Sequence, residues 1–398
     1  MRITELLEFN PSTRLTKSGS YPFIEMALLP LSEREIPGYE YRAAGGSGSK
    51  FRNGDTLLAR ITPCLENGKG GLVRNLPGDG LGHGSTEFIV MRPCRKSDED
   101  FVYYLSRLPR FRSFAIQQMT GTSGRQRVNW QSLADFEIPE LNPCIRENIG
   151  STLATLDDKI ELNRRMNETL EAMARAIFKD WFVDFGPTRA KAEGRAPYLA
   201  PEIWNLFPDA LDDGDTPVGW TVYKLEDFLE LIYGKSLPAK QRTPGNVAVY
   251  GSGGLAGTHD TALIEGPAVI VGRKGTVGSL YWEDRPVFPI DTVFYVVPRI
   301  GSLLFNYHLL GAQPLSDMNT DAAVPGLNRG NAYRLEFPKP SSELISAFDD
   351  LAGPLWKLRA ANLREMGILA ETRDLLLPKL MSGEIRLRDA EKAVEAVA

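Results

Sequence analysis

The chain is written twice, and that internal repeat constrains its fold more than any other feature. Near the end of each half lies an extended run closing on proline, VNWQSLADFEIPEL (128–141) and LNRGNAYRLEFPKP (327–340). A constant shift of 199 positions carries Asn129 onto Asn328, Phe136 onto Leu335, Leu156 onto Leu355, Asn163 onto Asn362 and Ile177 onto Leu376. Farther upstream the register changes. GDTLLARITPCLENGKGGLV (54–73) matches GPAVIVGRKGTVGSLYW (266–282) at a shift near 212. The halves are alike at their ends and divergent in their middles, so the chain is expected to fold as two similar units rather than as one doubled core.

Each half reads as a mixed globular part followed by a helix. Short β-rich runs such as Glu87–Met91 and Thr292–Val297 are punctuated by Gly and Pro. The helices are plainer. Ile149, Leu153, Leu156, Ile160, Asn163, Asn167, Leu170, Ala174, Ile177 and Trp181 recur at alternating steps of four and three, the seam of a coiled coil. Leu344, Phe348, Leu351, Leu355, Leu358, Asn362, Leu369, Leu376 and Leu380 approximate the same pattern. Asn163 and Asn362 hold equivalent seam positions, where a buried amide costs stability but fixes register. The fold class expected is α+β: two similar globular α/β parts separated by two long antiparallel coiled-coil helices, with a pseudo-twofold internal repeat. Residues 186–219 show no sustained periodicity and read as a connector.

Composition narrows the function. The 398 residues are 42% hydrophobic, with no run long enough to span a bilayer, and the polar start lacks a secretory core. A cytoplasmic location without membrane attachment is expected. The three cysteines and three histidines are scattered, which gives neither a disulfide framework nor metal-ligand spacing, so no metal is expected. The net charge of −5 argues mildly against nucleic acid, but DNA feels only the face presented to it. Between Phe101 and Ala134 there is no acidic residue, while Arg107, Arg110, Arg112, Arg125 and Arg127 are present.

At this point the chain resembles a known family. IELNRRMNETLEAMARAIFKDWFVDFGPTRAKAEG (160–194) is similar to the central conserved region of type I restriction-modification specificity (S) subunits, and LAETRDLLLPKLMSGEI (369–385) to their distal conserved region. YGSGGLAGTHDTALIEGPAVIVGRKGTVGSLYW (250–282) resembles a common type of target recognition domain. The resemblance covers nearly the whole chain. It implies a first target recognition domain over 1–142, a central conserved helix over 143–185, a linker over 186–219, a second target recognition domain over 220–340, a distal conserved helix over 341–385 and a C-terminal tail over 386–398. It implies double-stranded DNA with a bipartite target as ligand. Two methyltransferase (M) subunits are implied as partners, with restriction/translocase (R) subunits joining through the complex. The chain itself would be non-catalytic and bind no cofactor; S-adenosylmethionine is expected on the methyltransferase subunits.

DNA affinity should come from Lys and Arg on phosphates and specificity from side chains at base edges. In the first half the candidates are Arg60, Asn67 and Lys69, and Arg125, Gln126 and Arg127, both sets flanked by glycines that permit tight turns. In the second they are Tyr250, Ser252, His259, Arg273, Lys274, Asn328 and Arg329. Candidate partner contacts are the aromatic cluster Phe178, Trp181, Phe182 and Phe185, and its equivalent Leu376, Leu377, Leu380 and Met381. A stand-alone methyltransferase is disfavoured because no acid/Asn-Pro-Pro-aromatic tetrapeptide occurs, and the glycine run from Gly251 to Gly257 is followed by polar THDT rather than an apolar helix. The alternative is a coiled-coil DNA-binding or scaffold protein without sequence specificity. The acid-free arginine stretch and the paired, internally divergent halves argue against it.

Overall fold

A computed structural model describes residues 1–16, 19–44, 47–122, 124–318 and 326–395. Contacts divide the chain into two compact units: Met1–Arg165 with Asn362–Ala398, and Met166–Ala361.

In the first unit, β1 (Leu7–Phe9), β2 (Ser20–Ile24), β3 (Glu40–Ala43), β4 (Ser49–Arg52), β5 (Thr56–Ala59), β6 (Gly70–Leu72), β7 (Leu81–Gly84) and β8 (Phe88–Pro93) form two sheets. One is antiparallel in the order β1-β8-β5-β6; the other runs β3-β2-β7-β4, with β2 and β7 parallel. The run Thr56–Ala59 is buried at every residue because its alternating side chains enter two different cores. Leu58, Ile89 and Met91 pack towards the helix α1 (Glu99–Arg107), whereas Leu57, Ala59, Phe88 and Val90 pack with Ile24 and Phe51 of the second sheet. Each such side chain contributes roughly 1.5–3 kcal/mol of burial. Beyond α1 come α2 (Pro109–Gln117), the small hairpin β9 (Met119–Thr120) and β10 (Arg127–Val128), and α3 (Trp130–Leu133). The long helix α4 (Pro143–Phe182) follows.

The second unit repeats this plan. After α5 (Gly186–Ala192), α6 (Pro201–Trp204), β11 (Thr221–Lys224) and α7 (Leu225–Phe228) come β12 (Leu229–Tyr233), β13 (Val247–Gly251), β14 (Gly254–His259), β15 (Ala268–Gly272), β16 (Leu280–Glu283), β17 (Val287–Pro289) and β18 (Val293–Pro298). The order β12-β18-β15-β16 duplicates β1-β8-β5-β6, again all antiparallel. The companion sheet β14-β13-β17 keeps the parallel pair in the place of β2 and β7. Helices α8 (Leu303–Gly311) and α9 (Arg329–Tyr333) and the second long helix α10 (Ser342–Ser382) stand where α1, α3 and α4 stood, and strand β19 (Glu336–Lys339) lies where the first unit has the single bridge Arg2 to Glu137. The proline-closed run of this half is β19, which pairs with β11. The expected repeat therefore extends beyond the segments matched in sequence.

The long helices start where their caps dictate. Asn142 Oδ1 accepts from the Cys144 amide with Pro143 at the first helical position, and Ser341 Oγ accepts from the Leu344 amide. Gly383, at φ +75°, closes α10. At about 1.5 Å per residue each helix is roughly 60 Å long. Within the first unit, the N-terminal part of α4 runs antiparallel to the C-terminal part of α10. Asn163 Nδ2 donates to Glu365 Oε2 at 2.7 Å, and Arg373 Nη1 to Asp157 Oδ1 at 2.5 Å. Within the second unit the other halves pair the same way, with Arg359 Nε donating to Glu171 and Phe178 packing 5.5 Å from Phe348.

The seam departs from the heptad expectation in one stretch. Leu351 and Leu358 are exposed, and the buried line runs Leu344, Phe348, Ala352, Trp356. This part of α10 packs on a globular core holding Phe178, Phe305 and His308, and large rings rather than a heptad set its rotation. The connector, which shows no sustained periodicity in sequence, carries α5 and α6 and belongs to the second unit; Trp204 is buried beside Tyr198 and Phe207 joins the core, its ring lying 5.3 Å from Trp181. The tail forms α11 (Leu387–Glu395), whose Ala390 and Val394 join the first unit's core.

Candidate nucleic-acid interface

In the first unit the chain beyond β5 continues extended and meets the segment leading into α3. The Thr62 amide donates to the Gln126 carbonyl at 3.0 Å and the Val128 amide to the Arg60 carbonyl at 2.9 Å. This pairing brings Arg60 and Arg127 to one corner of the sheet. Between them stands Glu87, just before β8. Arg127 Nε and Nη2 donate to Glu87 Oε1 at 2.9 and 2.7 Å, while Arg60 Nε lies 3.9 Å from Glu87 Oε2, an ion pair without a hydrogen bond. Hydrogen bonding to Glu87, then its charge, raises the Arg127 pKa above its ordinary value.

The second unit has the same corner. The Leu327 amide donates to the Arg273 carbonyl at 2.8 Å, and Lys274 bridges to Gly326. Leu327 stands 199 positions after Val128, and Arg273 fills the place of Arg60. Arg329, at the start of α9, supplies the second guanidinium. Asn328 caps that helix, its Oδ1 accepting from the Asn331 amide at 3.2 Å. Here the arginines meet over an aromatic ring. The Arg273 and Arg329 guanidinium carbons lie 5.1 and 5.0 Å from the centroid of Tyr233, which is 46% exposed and packs on Phe294. Their hydrogen-bond partners are backbone carbonyls: Arg273 Nη2 donates to Asp291 O at 2.6 Å and Arg329 Nη1 to Leu231 O at 3.3 Å.

The other sequence-derived candidates divide. Asn67, Arg125 and Lys274 are exposed, and Gln126 is half-buried beside Arg127. Lys69 turns inward and donates from Nζ to the Met26 carbonyl at 3.0 Å. Gly68, at φ +77°, completes the turn before it, and Arg107 braces that turn by donating to the Gly68 carbonyl at 2.6 Å. The acid-free arginine run is thus not one surface: Arg107 supports the backbone and Arg110 lies over Phe136. Ser252 is a scaffold residue. Its hydroxyl donates to the Lys274 carbonyl, and its own carbonyl accepts from Ser279 and Tyr281. The Tyr250 hydroxyl donates to Glu283 Oε2 at 3.1 Å; burial, then the Glu283 charge, pushes its pKa up to about 12. His259 is buried, with Nδ1 accepting from the Thr243 amide.

All eight partner-contact candidates are enclosed. Phe178, Trp181 and Phe182 belong to the second unit's core, where Phe178 packs on Phe305, His308 and Phe348, and Phe185 is 8% exposed beside Trp220. Leu376, Leu377, Leu380 and Met381 belong to the core of the first. The apolar side chains left exposed on these helices include Leu162, Ile368 and Leu375 in the first unit and Met173 and Leu358 in the second, with Val183 exposed just beyond the end of α4. Asn163 and Asn362 are both buried.

Glu87 and Tyr233 were not legible beforehand. Each ends or begins an apolar strand, EFIVM and LELIY, and only strand pairing sets it beside arginines tens of residues away. Among the described residues, no three His, Cys, Asp or Glu side chains form a metal-binding group, and no helix is long and apolar enough to cross a membrane.

Residues 217–341 match the family of the type I restriction modification DNA specificity domain. The chain is 25% identical to the type I restriction enzyme HindI specificity subunit of Haemophilus influenzae, across 88% of this chain and 89% of that one. It is 22% identical to the MjaIX specificity subunit of Methanocaldococcus jannaschii, across 73% and 70%. Its fold is similar to the crystal structure of the type I restriction-modification system S subunit from M. genitalium, with a TM-score of 0.54 and 17% identity over 96% of this chain and 95% of that one.

Proposed function

Because the chain belongs to the type I restriction-modification specificity family, we propose that it selects DNA for a modification and restriction complex by reading a target in two parts. The observation that carries this reading is the duplicated corner. The same sheet, in the same strand order, ends in the same bend in each unit, with Arg60 and Arg273 at equivalent positions and a second arginine beside each, Arg127 from β10 in one and Arg329 from α9 in the other. Two copies of one platform with different surroundings suit two short, unlike half-sites. Asn67, Arg125, Gln126, Lys274 and Asn328 border these corners and serve as further contacts, with Lys69, Tyr250, Ser252 and His259 holding the backbone beneath.

The chain performs no chemistry and holds no cofactor in this reading. Two methyltransferase subunits carry S-adenosylmethionine and modify an adenine in each half-site, and restriction subunits join through them. The long helices are the docking elements. The enclosed rings at Phe178, Trp181, Phe182 and Phe185, and the Leu376–Met381 cluster, shape the helix ends; exposed Met173, Val183 and Leu358, and Leu162, Ile368 and Leu375, supply apolar contact area. The helices also set the number of base pairs passed over between the half-sites.

Single-molecule sequencing of modified adenines in a host carrying the system tests the reading. The expected result is one motif in two parts with a fixed gap. Replacing residues 1–142 with those of another family member should change one part and leave the other; alteration of both parts, or a continuous motif, refutes independent reading by two units.

A further inference from the structure

The two corners place their arginines in opposite electrostatic settings, although only Arg60 and Arg273 hold equivalent positions. In the first unit Glu87 binds Arg127 through both nitrogens of its fork and lies within ion-pair distance of Arg60, so two positive charges share one negative charge. In the second unit neither Arg273 nor Arg329 is in an ion pair among the described residues. Both guanidinium groups stand about 5 Å from the Tyr233 centroid, so they lie within about 10 Å of one another with only carbonyl dipoles and ring faces as partners. A ring face attracts a cation weakly, which orders the pair without neutralising it. Lys274, which is exposed, adds a third cation at the same bend, beside the half-buried Arg273 and Arg329. Two forks gathered at one ring without an acid suit an anion with several acceptor oxygens, and guanidinium geometry matches phosphate.

We propose that the Arg273–Tyr233–Arg329 group clamps the phosphodiester backbone of the DNA and positions the second unit, whereas the Glu87-bound arginines of the first unit do not. Tyr233 acts as a positioning residue that spaces the two forks. This rests on the reading of these corners as DNA contacts and adds a division of labour to it.

The division is measurable because phosphate contacts release counterions and base contacts do not. Each phosphate contact adds about 0.9 to the slope of log affinity against log salt. The full-length chain, assembled with its methyltransferase subunits, would be titrated with a random-sequence duplex and with a duplex carrying the sequenced motif, at several salt concentrations. Removing both forks in R273Q/R329Q should lower the slope by about 2 on both duplexes. The affinity deficit should therefore shrink roughly tenfold between 50 and 200 mM salt, with the preference for the motif unchanged. R273K/R329K, which keeps point charges, should retain most of the slope, while Y233A should lose part of it. E87Q, which frees the first unit's pair, should steepen the slope by about 1. Matching thermal unfolding midpoints establish that the variants fold.

If R273Q/R329Q keeps the wild-type slope but loses motif preference roughly five- to hundredfold, the arginines read bases. The clamp is then wrong, although the corner remains a DNA contact. If folded R273Q/R329Q binds both duplexes like wild type, the clamp and the underlying assignment of this corner fail together.

Discussion

Replacing Asp157 should uncouple the globular part of the first unit from its helices, and the structure sets the size of the effect. Asp157, buried on α4, accepts from the Tyr104 hydroxyl on α1 at 2.5 Å and from Arg373 Nη1 on α10 at 2.5 Å. One carboxylate thus joins three elements. Burial, then the Asp157 charge, raises the Tyr104 pKa well above its ordinary value, so the phenol stays a donor. A hydrogen bond to a charged acceptor is worth about 1.5–3 kcal/mol, and this is the expected cost of Tyr104→Phe. Breaking a buried ion pair costs about 3–5 kcal/mol. Arg373 keeps a second carboxylate, exposed Asp374 at 2.8 Å, so Asp157→Leu should fall near the lower end, about 3 kcal/mol. Once Asp157 is gone the phenol has lost its acceptor, and adding Tyr104→Phe should cost almost nothing. The double-mutant cycle, read by urea denaturation, should therefore show a coupling about as large as the whole Tyr104→Phe effect. Costs that add within about 0.5 kcal/mol would mean that the three elements are not joined through this carboxylate.

The second unit should be acid-sensitive through His308. Burial, and secondarily the Arg175 charge, lowers its pKa to about 4 from the ordinary 6.5. The unfolded chain therefore binds the proton first. The stability linked to a neutral His308 is complete above 6.5 and is lost as pH falls towards 4, about 2 kcal/mol between pH 7 and 5. His308→Leu should flatten that dependence in urea midpoints measured at the two pH values; an unchanged slope would locate the sensitivity elsewhere. Inserting one heptad into both long helices should lengthen the gap in the methylated motif, and an unaltered gap would show that the helices do not set it. Purified chain alone should transfer no methyl group from S-adenosylmethionine to DNA, measured with a radiolabelled donor; turnover by rigorously pure protein would contradict a non-catalytic role.

The amino-acid order alone determined the features that local physics can carry. The apolar periodicity of two helices is a property of neighbouring residues, and the constant shift shows when the chain is compared with itself, so the repeat, the long helices and the α+β class could be read directly. Tertiary structure decided which face of each element is enclosed. Phe178 and Trp181 are candidate partner contacts by sequence because periodicity marks what must be buried without naming what buries it, and in the structure the aromatic core of the second unit encloses them. It also decided the setting of the arginines. Arg127 and Arg273 are similar as sequence, each within three residues of a glycine. Strand pairing delivers a carboxylate from 40 positions away to one and a tyrosine ring from 40 positions away to the other. Long-range pairing depends on the register of a whole sheet, which no local pattern specifies, and it is that register that makes two copies of one corner chemically unlike.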